Sequence, residues 1–233
     1  MAEQRPAPPL DPAGVAVIVP VLNEATRLAG LLDDLAARGF GRIVVADGGS
    51  TDGSLEVAAS RPGVALVRAP PGRAAQQSAG AAAAPSARVL LFLHADTRLP
   101  PDAFARMGEV LAAGVCAGAF RLRFDRRHPL LDLYAAVSAV ESYWTTFGDQ
   151  AIFARREAFE TVGGFPPWPL LEDVALRRAL KRHGGFSKSR AAVTTSARRF
   201  EAEGVLRRQL KNGAILLLHA LGAPASRLAG WYR

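Results

Sequence analysis

Short apolar runs alternate with segments of helical periodicity through the first 100 residues, and this alternation constrains the fold most. The runs are rich in β-branched residues and cover 15–19, 43–46, 64–67 and 89–93. Helical patterns follow them at 23–39, up to residue 59 and at 74–84, and Asn23 is the predicted N-cap of the first helix. Such alternation is typical of a parallel sheet with right-handed crossovers. We therefore predict an α/β fold in which helices flank a mostly parallel sheet.

The fourth run ends in a compact group of polar side chains. Residues 88–97 read RVLLFLHADT, without helical spacing, which is typical of a buried central strand. Ligands of open α/β sheets bind beyond the carboxyl ends of such strands. We expect His94, Asp96 and Thr97 to lie in that crevice.

The pattern changes after Asp96. A helix is predicted at 101–113, followed by a strand at 115–124 that we expect to be antiparallel or at an edge. Later predictions are a strand at 191–195 and a helix at 205–221. We predict a disordered leader at 1–13, a catalytic domain at 14–190, and a strand and helical extension at 191–233.

Composition indicates a globular, cytoplasmic protein. Of 233 residues, 49% are hydrophobic, enough for a substantial core. The single cysteine, Cys116, excludes an internal disulfide and suits a small buried hydrophobe in a reducing compartment. The proline-rich start lacks signal-peptide features, and no apolar run reaches the roughly 18 residues of a membrane span.

The formal charge of +8 is concentrated in the tail. Residues 1–180 carry 18 Lys+Arg and 19 Asp+Glu, whereas residues 181–233 carry 11 basic and two acidic residues. This distribution argues against nucleic acid as a partner. The helix at 205–221 places several leucines near one stripe beside basic residues. It suits peripheral contact with an anionic inner membrane face, packing on the catalytic domain, or a homodimer contact.

The second run ends in the turn DGGSTDG at 47–53. Gly48 and Gly49 let backbone amides approach a ligand, and a helix N-terminus follows. The G-x-G-x-x-G of dinucleotide-binding folds is absent, which argues against a Rossmann dehydrogenase. Asp47 suits a hydrogen bond to a nucleobase or ribose.

The polar group after the fourth run suits a divalent metal. Asp96 can complete the oxygen shell of Mg²⁺ or Mn²⁺ together with substrate phosphates and water. His94 is open to two interpretations, because Mn²⁺ accepts imidazole whereas a histidine at the sheet edge needs no ligand role. A haloacid-dehalogenase-type phosphatase is excluded, since His94 stands where its nucleophilic aspartate is needed.

Two further sites carry candidate chemistry. Glu172 and Asp173 begin a helix, where they serve as helix-capping charges or as a general base beside the proline-stiffened loop that carries Trp168. Trp168 is either an aromatic platform for the acceptor or a core residue. Arg73 precedes a helix and is either a diphosphate ligand or a surface arginine.

Taken together, the motifs resemble the inverting family-two glycosyltransferases of GT-A fold. The matching segments are VIVPVLNE at 17–24, VVADGGSTDG at 44–53, LFLHAD at 91–96, GDQAIF at 148–153, GGF at 163–165, and Glu172-Asp173. Order and spacing match over residues 15–185. Within the family, the chain is most similar to the bacterial branch of radical-SAM/selenodomain-associated transferases.

The resemblance implies a nucleotide-diphosphate-sugar donor of UDP or GDP type and a divalent metal, Mn²⁺ or Mg²⁺. It implies that Asp47 reads the base, Glu24 lies by the nucleoside, Asp96 binds the metal and Asp173 is the base, with Glu172 beside it. The family usually has D-x-D, and His94 replaces the first aspartate here. The donor-site residues that we expect are Pro20, Glu24, Asp47, Gly48, Gly49, Arg73, His94, Ala95 and Asp96.

These observations predict metal-dependent, inverting transfer of a sugar to an acceptor hydroxyl. A nucleotidyltransferase is an alternative, although residues 20–24 lack the glycine-rich basic loop that such enzymes carry after the first strand. A non-catalytic sugar-nucleotide-binding scaffold is the other alternative, because the metal motif is degenerate.

Overall fold

Strands and helices alternate as the sequence predicts. The computed structural model describes residues 10–232. The strands are β1 (Val15–Val21), β2 (Ile43–Asp47), β3 (Val64–Arg68), β4 (Val89–Phe92), β5 (Thr97–Arg98), β6 (Ala117–Phe124), β7 (Phe153–Arg155) and β8 (Phe186–Thr195). The helices are α1 (Ala25–Ala37), α2 (Ser54–Ala59), α3 (Arg73–Ala82), α4 (Ala103–Ala112), α5 (Pro129–Val137), α6 (Arg156–Thr161), α7 (Glu172–Gly184), α8 (Arg198–Glu203), α9 (Val205–Ala220) and α10 (Ala225–Tyr232).

All eight strands form one mixed sheet in the order β3-β2-β1-β4-β7-β6-β8-β5. Strands β1 to β4 are mutually parallel, and β6 and β8 form a second parallel pair. Strand β7 runs antiparallel to β4 and β6, and β5 runs antiparallel to β8. The predicted α/β fold with a mostly parallel sheet is confirmed.

The period of two along β1 explains why helices cover both sheet faces. Val15, Val17, Val19 and Val21 belong to one core cluster with the buried leucines of α1. Ala16 and Ile18 point the other way, into a second cluster that includes residues of α3 and α7. Alternate side chains of a strand face opposite sides of the sheet, and both sides here are apolar.

Three local predictions need correction. Strand β6 is antiparallel to β7, as one alternative of the prediction had it, but the edge alternative is wrong, because β6 also pairs in parallel with β8. The last strand begins at Phe186 rather than residue 191. Asn23 does not cap α1: it has φ of 56°, and its Oδ1 accepts a hydrogen bond from Thr51 N–H at 2.9 Å. A contact with the distant 47–53 turn therefore overrides the local capping preference.

The C-terminal helices pack beside the start of α7. Ile215 and Leu216 of α9 and Leu228 of α10 form a third cluster with Leu170, Leu171 and Val174. The expected domain boundary between residues 190 and 191 falls within β8, and the division into domains stays a prediction. Residues 1–9 of the expected leader lie outside the described residues. Among residues 10–232, no helix is both long and apolar enough to span a bilayer.

Candidate active site

The carboxyl ends of β2, β1 and β4 lie side by side, since these strands are neighbours in the sheet. This order brings the segments after the three strands to one edge, where a cavity of about 560 Å³ opens. The predicted site residues that line the cavity are Pro20, Glu24, Arg73, His94, Ala95, Asp96, Glu172 and Asp173. One cavity therefore unites residues that are up to 153 positions apart in the chain.

Asp47, Gly48 and Gly49 are not among the cavity-lining residues. The buried Asp47 carboxylate accepts hydrogen bonds from the backbone N–H of Gly49 at 2.8 Å and of Ser50 at 3.2 Å. At Gly48, a Cβ atom would lie 2.9 Å from the Gln76 side chain. In this structure Asp47 shapes the turn, and its base-reading role stays a prediction.

Asp173 is held by two backbone donors. Its Oδ2 accepts from Gly148 N–H at 2.5 Å and its Oδ1 from Val174 N–H at 2.7 Å. The first bond joins α7 to the 3-10 helix Gly148–Gln150. A carboxylate held at both oxygens has a defined direction, as a general base requires.

Arg73 begins α3, is half-buried and lines the cavity. Burial lowers the pKa of its guanidinium, but Tyr232, Glu172 and Asp173 outweigh that effect and raise the pKa. The cavity therefore holds a positively charged guanidinium beside two carboxyl groups. Arg73 is therefore not a surface arginine, and it can meet an anionic group in the cavity.

Arg198 of α8 joins two predicted site residues. Its Nη2 donates to Oε1 of Glu24 and lies 3.7 Å from Oδ2 of Asp96. Glu24 also pairs with Arg27 at 3.1 Å. Without a donor bound, the Asp96 carboxylate therefore faces a guanidinium.

The surroundings of His94 favour its neutral imidazole. Burial lowers its pKa well below the usual range, and the positive charges of Arg73 and Arg199 lower it further. A Cβ atom at Gly148 would lie 3.4 Å from Nε2 of His94 and 3.1 Å from Oδ2 of Asp173. Glycine at this position lets the 3-10 helix approach both side chains.

The carboxylate oxygens in the cavity suit a hard divalent cation as ligands. Oδ1 of Asp149 is buried without a hydrogen-bond partner among the described residues. Burial raises the pKa of Asp149 to about 7, to which the charges of Asp173 and Asp96 also contribute. In residues 10–232, no three His, Cys, Asp or Glu side chains form a ready metal cage. Mg²⁺ and Mn²⁺ commonly use one or two carboxylates and take further ligands from substrate phosphates and water.

Several cavity residues were missed by sequence reasoning. Asp149 lies in the matched GDQAIF segment, yet we assigned it no role. Arg199 and Tyr232 come from the basic tail, where nothing in the local pattern marks them as site residues. Trp168 does not line the cavity: it is 38% exposed and packs edge-to-face on His219. The aromatic lining comes instead from Phe124, Tyr134, Trp144, Phe147, Phe200 and Tyr232.

Comparison with known protein families assigns the chain to one of them. The model of glycosyl transferase family 2 matches residues 16–162, well over half of the sequence. The chain belongs to this family. It is therefore a glycosyltransferase, and the match argues against the nucleotidyltransferase alternative.

Similar proteins agree with the family. Glycosyltransferase AglJ of Haloferax volcanii is 43% identical over 47 residues, which are 20% of this chain and only 16% of that protein. Mannosyltransferase PcManGT of Pyrobaculum calidifontis, solved with GDP-Man and Mn²⁺, aligns with a TM-score of 0.63 at 21% identity over 96% of this chain and 71% of its own. Glucosyl-3-phosphoglycerate synthase of Mycobacterium tuberculosis, solved with Mn²⁺ and UDP, aligns with a TM-score of 0.64 at 20% identity, over 90% and 80%.

These structural likenesses concern the fold. A mostly parallel sheet flanked by helices, shared with solved glycosyltransferases over most of the chain, confirms the predicted GT-A fold of this family-two member. The donor, the metal and the acceptor have to be argued from the cavity.

Proposed function

We propose that this family-two glycosyltransferase moves a sugar from a nucleotide-diphosphate donor to an acceptor hydroxyl, with inversion and in dependence on a divalent metal. One observation carries the proposal. An anchored carboxylate at Asp173, a half-buried cation at Arg73 and an acidic group at Asp96 line the same cavity. They are the three groups that a displacement at an anomeric carbon needs.

Asp173 is the proposed general base. Its carboxylate accepts the proton of the acceptor hydroxyl while that oxygen bonds to the anomeric carbon and the bond to the diphosphate breaks. A single displacement of this kind inverts the anomeric centre. The two backbone bonds to Asp173 keep the base aimed, so that little reorganisation is needed during the reaction.

Arg73 is proposed to bind the departing diphosphate. A guanidinium makes strong, charge-assisted hydrogen bonds to phosphate oxygens, and that of Arg73 is half-buried in the cavity lining. We propose that Asp96 holds a metal, Mn²⁺ or Mg²⁺, and that Asp149 is a further candidate ligand. When bound, such a cation offsets negative charge on the diphosphate.

The likeness to solved enzymes supports a donor of GDP or UDP type. PcManGT was solved with GDP-Man, and glucosyl-3-phosphoglycerate synthase with UDP-glucose and phosphoglyceric acid. Here the proposed donor residues are Pro20, Glu24, Asp47, Gly48, Gly49, Arg73, His94, Ala95 and Asp96.

The motif set supports membership of the radical-SAM/selenodomain-associated branch and a catalytic unit over residues 14–190, and the single cysteine supports a cytoplasmic location. An inner membrane face and a second copy of the chain are the proposed partners of the C-terminal helix.

The test is a screen of nucleotide sugars. Purified protein with Mn²⁺ is incubated with GDP-mannose, UDP-glucose and related donors, and release of the nucleoside diphosphate is followed. We expect metal-dependent release from at least one donor. Asp173→Asn should lower transfer by about 10²–10⁴-fold and leave donor affinity nearly unchanged, since the base acts on the acceptor. Donor binding without turnover by the wild type would favour the scaffold alternative.

A further inference from the structure

Exposed large apolar side chains concentrate in two segments of the chain. Of the thirteen such residues within 10–232, ten lie in residues 130–144 and 206–231. We call these ten the apolar rim: Leu130, Leu133, Val137, Val140, Trp144, Leu206, Leu210, Leu217, Leu221 and Trp231. Scattered apolar residues on a surface need no explanation, whereas a concentration of this kind marks an interaction site.

The first half of the rim has helical spacing. Leu130, Leu133 and Val137 lie on α5, and Val140 and Trp144 continue the alternation of three and four residues. Leu133 is 60% exposed and Val140 is 63% exposed. A surface helix normally turns such a stripe toward the core, but this stripe faces away from it.

The second half of the rim lies on α9, where apolar side chains again face away from the core. Leu206, Leu210 and Leu217 lie on its outer face, with Leu221 just beyond its end, and Leu210 is 65% exposed. The inner face carries Arg208, which is buried and paired with Glu203. The helix therefore buries a charge and exposes leucines.

Positively charged side chains lie beside the apolar rim. Residues 205–232 contain four basic residues and no acidic one. Arg207 and Arg227 are exposed there, beside the rim. Their charge complements an anionic surface. A symmetric contact between two copies would bring these cations together without acidic residues from the same stretch to pair with them.

The rim adjoins the catalytic cavity. Val137 and Trp144 belong both to the rim and to the cavity lining, and Gln209, Asn212 and Gly213 line the cavity from α9. Helices α5 and α9 also contact each other. A flat partner seated on the rim would therefore lie beside the cavity.

We propose that the apolar rim docks on an anionic lipid bilayer, and that the acceptor is a membrane-embedded amphiphile whose nucleophilic oxygen enters the cavity toward Asp173. The acceptor part rests on the proposed glycosyltransfer, whereas the docking does not. Leucines enter the boundary between headgroups and acyl chains, and exposed arginines meet anionic headgroups. Trp144 and Trp231 suit the same boundary, because indole has an apolar body and a polar N–H.

Vesicle co-sedimentation tests the docking without any substrate. Full-length protein is spun with vesicles of phosphatidylcholine alone and of phosphatidylcholine mixed with phosphatidylglycerol, at low and at high salt. We expect sedimentation with the anionic vesicles, weakened by salt because the exposed charges are screened. No sedimentation with anionic vesicles at low salt would overturn the proposal.

A set of exposed variants locates the surface. The triple variant Leu133→Gln, Leu210→Gln and Leu217→Gln should fold as the wild type does and bind anionic vesicles at least about tenfold more weakly. Leu66→Gln, at an exposed leucine on the opposite edge strand β3, is the matched control and should bind normally. Equal binding by the triple variant would place the contact elsewhere and overturn the proposal.

Self-association of two copies of the chain through the rim is a different outcome of these tests. Sedimentation velocity without lipid reports the oligomeric state. A dimer that the triple variant abolishes, together with no vesicle binding by the wild type, would assign the rim to self-association and overturn the bilayer proposal. Because none of these readouts involves donor turnover, failure of the docking and failure of the proposed sugar transfer remain distinguishable.

If docking holds, acceptor activity should be found in lipid extracts presented in vesicles.

Discussion

The backbone N–H of Gly148 donates to Oδ2 of Asp173 at 2.5 Å, and a Cβ atom at Gly148 would lie 3.1 Å from the same oxygen. Residues 25 positions apart are thus in direct contact. The proposed base is aimed by a backbone donor, and only a residue without a side chain allows this approach without displacing the carboxylate.

Gly148→Ala should lower kcat by about tenfold or more and leave the melting temperature nearly unchanged. The added methyl group displaces Asp173 by tenths of an ångström, and small misplacements at a reacting centre are costly. Steady-state kinetics and thermal unfolding provide the measurements. Gly41→Ala is the control, since nothing lies within 4 Å of a Cβ atom there. Full activity in Gly148→Ala would show that this contact does not position the base.

Asp96→Asn should keep the fold and lose about 10²-fold or more of the activity under limiting Mn²⁺. An anionic metal ligand is removed, and metal-derived charge stabilisation is worth several kcal/mol. A chelator should abolish wild-type activity, and added Mn²⁺ should restore it. Asp102→Asn, on the surface at α4, is the control. If Asp96→Asn worked as well as the wild type when Mn²⁺ is scarce, Asp96 would not hold the metal.

Arg198→Gln should tighten Mn²⁺ binding to the donor-free protein by roughly two- to fivefold, the range expected from losing one partly exposed charge pair. The guanidinium lies 3.7 Å from Asp96 and would compete with a cation there. Free Mn²⁺ is followed by electron paramagnetic resonance. Arg27→Gln is a matched control, because Arg27 also pairs with Glu24. Weaker Mn²⁺ binding in Arg198→Gln would contradict this competition.

Glu172→Gln should stabilise the protein at high pH. Burial raises the pKa of Glu172 to about 7 from the usual 4.5, and the charge of Asp173 adds to that effect. The unfolded chain loses this proton near pH 4.5, whereas the folded protein keeps it up to about pH 7, so the free energy of unfolding falls between these pH values, by up to about 3 kcal/mol. Glutamine does not ionise, so this pH-dependent loss of stability disappears in the variant.

Urea unfolding at about pH 5 and about pH 8, with chelator present, measures this effect. The gain in stability should be larger at the higher pH. Glu56→Gln, at an exposed glutamate of α2, should show no such difference. A gain that is equal at both pH values would contradict a raised pKa in the folded protein.

The predicted strands and the mostly parallel sheet follow from local signals, and eight of the eleven predicted site residues line the cavity at one edge of that sheet. Period-two burial, turn chemistry and the position of polar residues at strand ends act over a few residues, so a sequence displays them directly. Side chains after β1, β2 and β4 share one edge because their strands are parallel neighbours.

Only the tertiary structure decided which distant residues join that edge. Asp149, Arg198 and Tyr232 reach the site because β6, β7 and β8 continue the sheet and the tail folds back over it, and no short-range pattern encodes such contacts. For the same reason the sequence could not show that the side chain of Asn23 bonds to the 47–53 turn instead of capping α1. The leucines of α9 show periodicity in the sequence, but periodicity does not say which face is buried. That depends on what packs against the helix: here Ile215 and Leu216 meet α7, and Leu206, Leu210 and Leu217 face outward.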